Sequence, residues 1–261
     1  MPRWAREVEA GMSNERPNPP DVAQAMLQGP QGTLPFWLFK TDVCFQIAND
    51  IFAGNTYPNI SFVSGVKTIL DIGANVGAAS VYLAMAYPNA QVYAFEPGSV
   101  ALPLLQQNVA PLRNVSVFPY GLYSMRKAAP LFHGKHDSVE SSVCSTGRTA
   151  GTGEAIRLES ASQFLSEHNI NIVDILKIDT EGCEVPILQS LSNYLSQVKV
   201  LYVEYHSERD RRLIDGMLAE THVLWRGKVT FAYRGEFCYL KRELVPDESE
   251  THTSEILLNL E

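Results

Sequence analysis

Asp71, Glu96, Asp179 and His206 each close a short apolar run. Asp71 follows Ile69-Leu70, and Glu96 follows Val92 to Phe95. Asp179 follows Ile172 to Ile178, and His206 follows Val198 to Tyr205. Short apolar runs bounded by turn residues read as buried strands. In an open α/β sheet, ligands bind outside the carboxyl ends of such strands. The four residues are therefore expected on one rim. Carboxylates there can hold hydroxyl or ammonium groups. An imidazole titrates near neutral pH and can move a proton.

The stretch Asp71-Ile72-Gly73-Ala74-Asn75-Val76-Gly77 adds a tight turn. Apolar residues at helical spacing follow, with Ala79 and Leu83 after Val76. Strand, glycine turn and helix are predicted in that order. The helix start supplies unpaired N–H groups and a partial positive charge. The dinucleotide fingerprint is G-x-G-x-x-G. Here Asn75 takes the place of a glycine, and Asp71 would repel a pyrophosphate, so an NAD-dependent oxidoreductase is disfavoured. The acid suits a ligand with a cationic amino group, such as the methionine end of S-adenosylmethionine. Glu96, one strand–helix unit later, is placed to accept two hydrogen bonds from ribose.

These residues need a scaffold. Strands are predicted near Val66–Leu70, Gln91–Phe95 and Val115–Pro119, with helices near Ala78–Ala86 and Val100–Asn108. Later come helices near Ala161–Glu167, Val185–Tyr194 and Arg209–Glu220. Two closing strands fall near His222–Arg226 and Glu236–Lys241, with a short extra one at Thr230–Tyr233. Alternating strands and helices imply a parallel sheet with right-handed crossovers. Residues 1–40 are Pro-rich and read as a loosely packed extension, with a short helix over Asp21–Gln28 capped by Asp21. Leu34 to Phe52 is apolar and is expected to cap the sheet mouth. Residues 41–245 form the main domain. Within it, 121–160 is Gly- and Ser-rich and reads as a lid, with short strands at Leu131-Phe132 and Ala155–Leu158. Residues 246–261 form an acidic tail.

The 261 residues carry a formal net charge of −8, which argues against broad nucleic-acid binding. The four cysteines have no C-x-x-C spacing, so neither zinc nor redox chemistry is indicated. No apolar run is long enough for a membrane helix. A cytoplasmic protein is expected, and an oligomer is left open.

Taken together, D-I-G-A-N-V-G from Asp71, F-E-P from Phe95, L-K-I-D-T-E-G-C-E from Leu176 and V-E-Y-H from Val203 resemble the FkbM family of S-adenosylmethionine-dependent methyltransferases. The Ser141-Ser142 pair also fits. The resemblance implies a Rossmann-like methyltransferase fold. Its seven-stranded sheet is mostly parallel, with an antiparallel last strand and helices on both faces. It also implies O-methyl transfer to a hydroxyl of a sugar or a secondary metabolite such as a polyketide. Asp71, Gly73, Asn75 and Gly77 would then hold the amino-acid end of the cofactor, Glu96 the ribose, and Leu122 the adenine. Asp179, Glu181 and His206 would face the acceptor, with His206 as base. Lys177 would pair with Glu204 or Asp179. One alternative is metal assistance, with Mg²⁺ held among Asp179, Glu181, Glu204 and His206. Another is a catalytically silent partner protein that binds cofactor.

Overall fold

The computed structural model describes residues 21–132, 154–231 and 233–246. The Ser141-Ser142 pair, the central part of the expected lid and nearly all of the acidic tail lie outside them. The chain opens with a β-hairpin, β1 (Val22–Gly29) and β2 (Gly32–Phe39). This corrects the expected short helix and loose extension over these residues. Gly29 faces Gly32 across a tight turn, and Gly32 has φ 119. The hairpin is part of the core: Phe36, Leu38 and Phe39 are no more than 1% exposed. Each such side chain contributes roughly 1.5–3 kcal/mol of burial. The Asn108 amide ties the hairpin down, donating to Trp37 O at 2.7 Å and Val76 O at 2.8 Å and accepting from Trp37 N at 2.8 Å.

Helix α1 (Asp42–Phe52) follows, capped by the Thr41 side chain, which accepts from Cys44 N. Strand and helix then alternate through β3 (Thr68–Ile72), α2 (Ala78–Ala86), β4 (Gln91–Phe95), α3 (Leu102–Val109) and β5 (Val115–Phe118). After three short strands come α4 (Ala161–Glu167), β9 (Ile175–Ile178), α5 (Glu184–Ser190), α6 (Ser192–Leu195), β10 (Val200–Tyr205) and α7 (Glu208–Leu218). The chain closes with β11 (His222–Phe231) and β12 (Arg234–Lys241). The expected extra strand at Thr230 is the continuation of β11.

The seven-stranded sheet runs β11-β12-β10-β9-β3-β4-β5. Its central pairs are parallel. The last strand, β12, inserts antiparallel to both β10 and β11. Helices α1, α2 and α3 contribute to the core on one side, and α4 to α7 to that on the other. Strand interiors such as Ile69, Leu70, Ile72 and Ile175 to Ile178 are nearly or fully buried, as a sheet covered on both faces requires. At the amino edge the Asp174 carboxylate accepts from Lys67 N at 2.8 Å and Thr68 N at 3.0 Å, and pairs with Lys199 at 2.8 Å. This clamp fixes the start of β3 against β9. The other rim therefore carries the chemistry.

The described part of the 121–160 excursion is a small sheet of β6 (Gly121–Tyr123), β7 (Lys127–Leu131) and β8 (Glu154–Ser160), ordered β6-β8-β7. Among the described residues no helix is long and apolar enough to cross a membrane.

Candidate active site

The turn after β3 is built around Gly73. Its φ is 82, and a Cβ there would lie 1.8 Å from the Asp179 carbonyl oxygen. Only glycine lets the first turn and the end of β9 come this close. Asn75 follows at φ 49. Gly77, at φ 93, is the N-cap of α2 and backs onto Leu105.

Asp71 is fully buried and is committed inward. It accepts from Ser80 Oγ at 2.5 Å and pairs with Lys177 Nζ at 3.0 Å. Lys177 also donates to Gly73 O at 2.5 Å. Burial opposes the Lys177 charge, but Asp71 and Asp179 outweigh it and raise its pKa. One expectation changes. Lys177 pairs with Asp71, not with Glu204 or Asp179. Asp71 braces the turn from behind and lines neither cavity described below. The physical reason is the buried ammonium, which needs the nearest carboxylate as counterion.

Glu96 sits at the end of β4, 8% exposed. Its carboxylate accepts from Asn75 N at 2.8 Å and Gly98 N at 2.7 Å, joining two turns. Burial pushes its pKa up to about 7, with the two amides opposing. It lines a cleft together with Gly73, Asn75, Leu122, Asp179 and Glu181. β6 supplies Gly121 and Leu122, while Leu131 and Leu158 close the apolar side.

A second, larger cavity opens on the other side of the turn. The two share Gly73, Asn75, Asp179 and Glu181 as lining residues. α1 and Tyr57 form one wall of the second cavity, and Lys228, Thr230, Arg234 and Glu236 of the β11–β12 hairpin another. Asp179 is half-buried at the junction, and its carboxylate has no hydrogen bond or ion pair among the described residues.

Beside that junction lies a charged cluster. His206 Nε2 is 3.0 Å from Glu181 and 3.6 Å from Glu204, and its Nδ1 is 3.4 Å from Glu184. Arg234 reaches Glu181 at 3.0 Å and closes on Glu204. Glu184 is fully buried and holds the turn in front of α5, accepting from Thr180 N, Thr180 Oγ1 and Gly182 N at 3.0–3.1 Å. Glu181, within that turn, has φ 52. Burial opposes a charge on His206, but the Glu181 and Glu184 carboxylates more than reverse this and raise its pKa to about 11. His206, the expected base, is thus surrounded by carboxylates that favour its protonated form. An imidazolium at neutral pH has no lone pair to offer and instead ties acids together. Burial, and then Asp179, push the Glu204 carboxyl above its usual range.

The structure thus brings Glu96, Leu122, Gly73, Asn75, Asp179, Glu181, Glu204 and His206 to one rim, with Asp71 and Gly77 behind it. Sequence reasoning missed Arg234, Glu184 and Tyr57. Glu184 lies in the quoted L-K-I-D-T-E-G-C-E run, and that membership was its only signal. Arg234 reads as a turn residue beside Gly235.

A mostly parallel sheet with a glycine turn after one strand, a carboxylate ending the next and an antiparallel last strand defines a Rossmann-like methyltransferase fold. The family model described as "Methyltransferase FkbM domain" matches residues 71–226. The chain belongs to that family. The methyltransferase sdnD of Sordaria araneosa is 28% identical, over 58% of this chain and 65% of its own. The 2-O-methyltransferase NoeI of Sinorhizobium fredii is 25% identical, over 58% and 66%. The hexuronic acid methyltransferase AglP of Haloferax volcanii is 25% identical, over 58% and 60%. The chain spans less than two thirds of the length of these relatives.

Proposed function

We propose that this chain transfers the methyl group of S-adenosylmethionine to a hydroxyl oxygen of a small molecule. One observation carries the reading: two cavities meet at an unpaired carboxylate, Asp179. The cofactor's adenine fits beside Leu122, its ribose on Glu96, and its amino-acid end along Gly73 and Asn75. The acceptor enters from the second cavity. The relatives that act on sugars by name support a hydroxylated acceptor.

In the step, an acceptor oxygen lone pair attacks the methyl carbon. The sulfur–methyl bond breaks, leaving S-adenosylhomocysteine, and the hydroxyl proton passes to Asp179. The sulfonium is already a good leaving group, so alignment supplies much of the rate. A positioned base adds about 10²–10⁴-fold. His206 and Arg234 hold Glu181 and Glu204 in place and offset their repulsion. Asp179→Asn should lower turnover by about that factor while S-adenosylhomocysteine binding stays within threefold. A variant that keeps more than a tenth of wild-type turnover removes Asp179 as base.

A second reading is favoured by a specific cluster. Asp179, Glu181, Glu204 and His206 offer ligand atoms within 4.8 Å of one another. A divalent ion there would take oxygen ligands and one imidazole and could orient the acceptor oxygen. Arg234 and a charged His206 already neutralise much of this cluster, so the metal-free reading stands first. Turnover unchanged in EDTA supports it, whereas loss restored by Mg²⁺ or Mn²⁺ supports the second. Cofactor binding without any methylated product, by mass spectrometry, would indicate a silent partner protein.

A further inference from the structure

Tyr57 stands in the loop after α1, outside the residues matched by the family model. It is 8% exposed and lines the second cavity. Its ring is held edge-on against Tyr202, with centroids 5.4 Å apart, and Lys177 Nζ lies 6.0 Å from its ring centroid. The ring is therefore fixed from two sides. Its hydroxyl, by contrast, forms no hydrogen bond among the described residues. Buried tyrosine hydroxyls usually find a partner. Those of Tyr202 and Tyr239 do, on Pro58 O and the Asp215 carboxylate. A buried polar group left open onto a cavity is a place for a ligand to bond.

The surroundings say which kind of ligand. Burial, and then the charges of Asp179, Glu204, Asp71 and Glu236, hold its proton on. It is thus a phenol that donates. Lys177 and Arg234 also line the cavity, but both are committed to carboxylates of the chain. A second anion beside these acids would be repelled. A neutral hydroxyl is not, and it can also donate in turn to a carboxylate such as Glu236.

We propose that Tyr57 hydrogen-bonds a second hydroxyl of the acceptor, next to the one that Asp179 receives. The acceptor is then a polyhydroxylated, carbohydrate-like molecule, uncharged at that position. This rests on the hydroxyl-transfer reading above and names its substrate class. Tyr57 would be a catalytic-site residue contributed by the flank of the domain.

The test uses Tyr57→Phe, which keeps the ring contacts and removes one oxygen. The probes are methyl glucopyranoside, methyl galactopyranoside and methyl mannopyranoside with their single-deoxy forms, and trans-1,2-cyclohexanediol against cyclohexanol. Methylation is read by product mass and rate. Wild type should prefer one parent compound over one deoxy or mono-hydroxyl counterpart by about tenfold in kcat/KM, the scale of one hydrogen bond. In Tyr57→Phe that preference should fall below threefold, with S-adenosylhomocysteine affinity within twofold by calorimetry. Discrimination kept at tenfold overturns the proposal. So does a more than fivefold loss of S-adenosylhomocysteine affinity, which would assign the hydroxyl to the cofactor. If wild type binds S-adenosylhomocysteine but methylates no probe, the hydroxyl-transfer reading falls and the Tyr57 proposal falls with it.

Discussion

Asp71→Asn separates two roles that one carboxylate could play. Asp71 is 0% exposed, and its partner Lys177 is 4% exposed at 3.0 Å. Asparagine keeps an oxygen for Ser80 Oγ but removes the counterion of a buried ammonium. Breaking one partner of a buried pair costs about 3–5 kcal/mol, because the other charge is left uncompensated. Asp179 also supports the Lys177 charge, so the lower end is expected, about 3 kcal/mol. For a chain of this size that corresponds to a fall in Tm of roughly 6–12 °C. Urea unfolding of wild type, Asp71→Asn, Lys177→Met and the double variant measures it. The double variant removes both charges and should recover at least half of the loss, a coupling of about 1.5 kcal/mol or more. If Asp71→Asn unfolds within about 1 kcal/mol of wild type while S-adenosylhomocysteine affinity drops tenfold, equivalent to about 1.4 kcal/mol, Asp71 is a ligand contact and the buried-pair reasoning is wrong.

Three other outcomes are expected. Glu96 keeps its proton to about pH 7 in the fold against 4.5 when free, so it subtracts stability as pH rises between those values. S-adenosylhomocysteine affinity should therefore rise between pH 6 and 8, and calorimetry on Glu96→Gln should show a flat profile; a rising profile in the variant removes Glu96 as the titrating group. Glu184→Ala should speed amide exchange at Thr180 and Gly182 by about tenfold or more, the scale of a lost charged hydrogen bond, while Glu184→Gln keeps much of the protection. Unchanged exchange in the alanine variant would mean that the turn is held by something else. His206 is raised from 6.5 to about 11, so its contribution is full below pH 6.5 and is lost progressively as pH rises toward 11. The stability gap between wild type and His206→Gln should shrink steadily from pH 7 to 10, and a gap independent of pH would show an uncharged His206.

Much of the sheet could be read before any coordinates. Gln91–Phe95, Ala78–Ala86 and Ala161–Glu167 have the predicted bounds. Their apolar periodicity comes from burial, which the sequence records directly. The opening hairpin could not be read this way. Val22 to Gly29 alternates between exposed and half-buried positions, with Leu27 the one buried side chain. Its period is faint, and Gly29-Pro30-Gln31-Gly32 read as a breaker when it was a hairpin turn. The rim residues could be placed because strand ends are legible. Their partners could not, because partners come from other elements. Nothing local to Asp71 says that Lys177 will reach it, and nothing local to His206 shows three glutamates around it. Protonation follows from partners, so the position of His206 on the rim was legible while the carboxylates that bias its protonation were not.

The insertion of β12 has a consequence for how the chain is made. Among the described residues β11 is bonded in the sheet only to β12, and β12 lies between it and β10. Synthesis delivers β10 and β11 first. Until Arg234 to Lys241 have left the ribosome, β10 has an open edge and β11 has nowhere to attach. During that interval the nascent chain shows Leu224, Trp225, Val229 and Phe231, which remain exposed even in the finished fold. The strand that ends this interval also carries Arg234 and Glu236 to the rim. Sheet closure and completion of this wall of the second cavity are therefore a single late event in the life of each molecule. A chain that stopped short of Arg234 would lose both together.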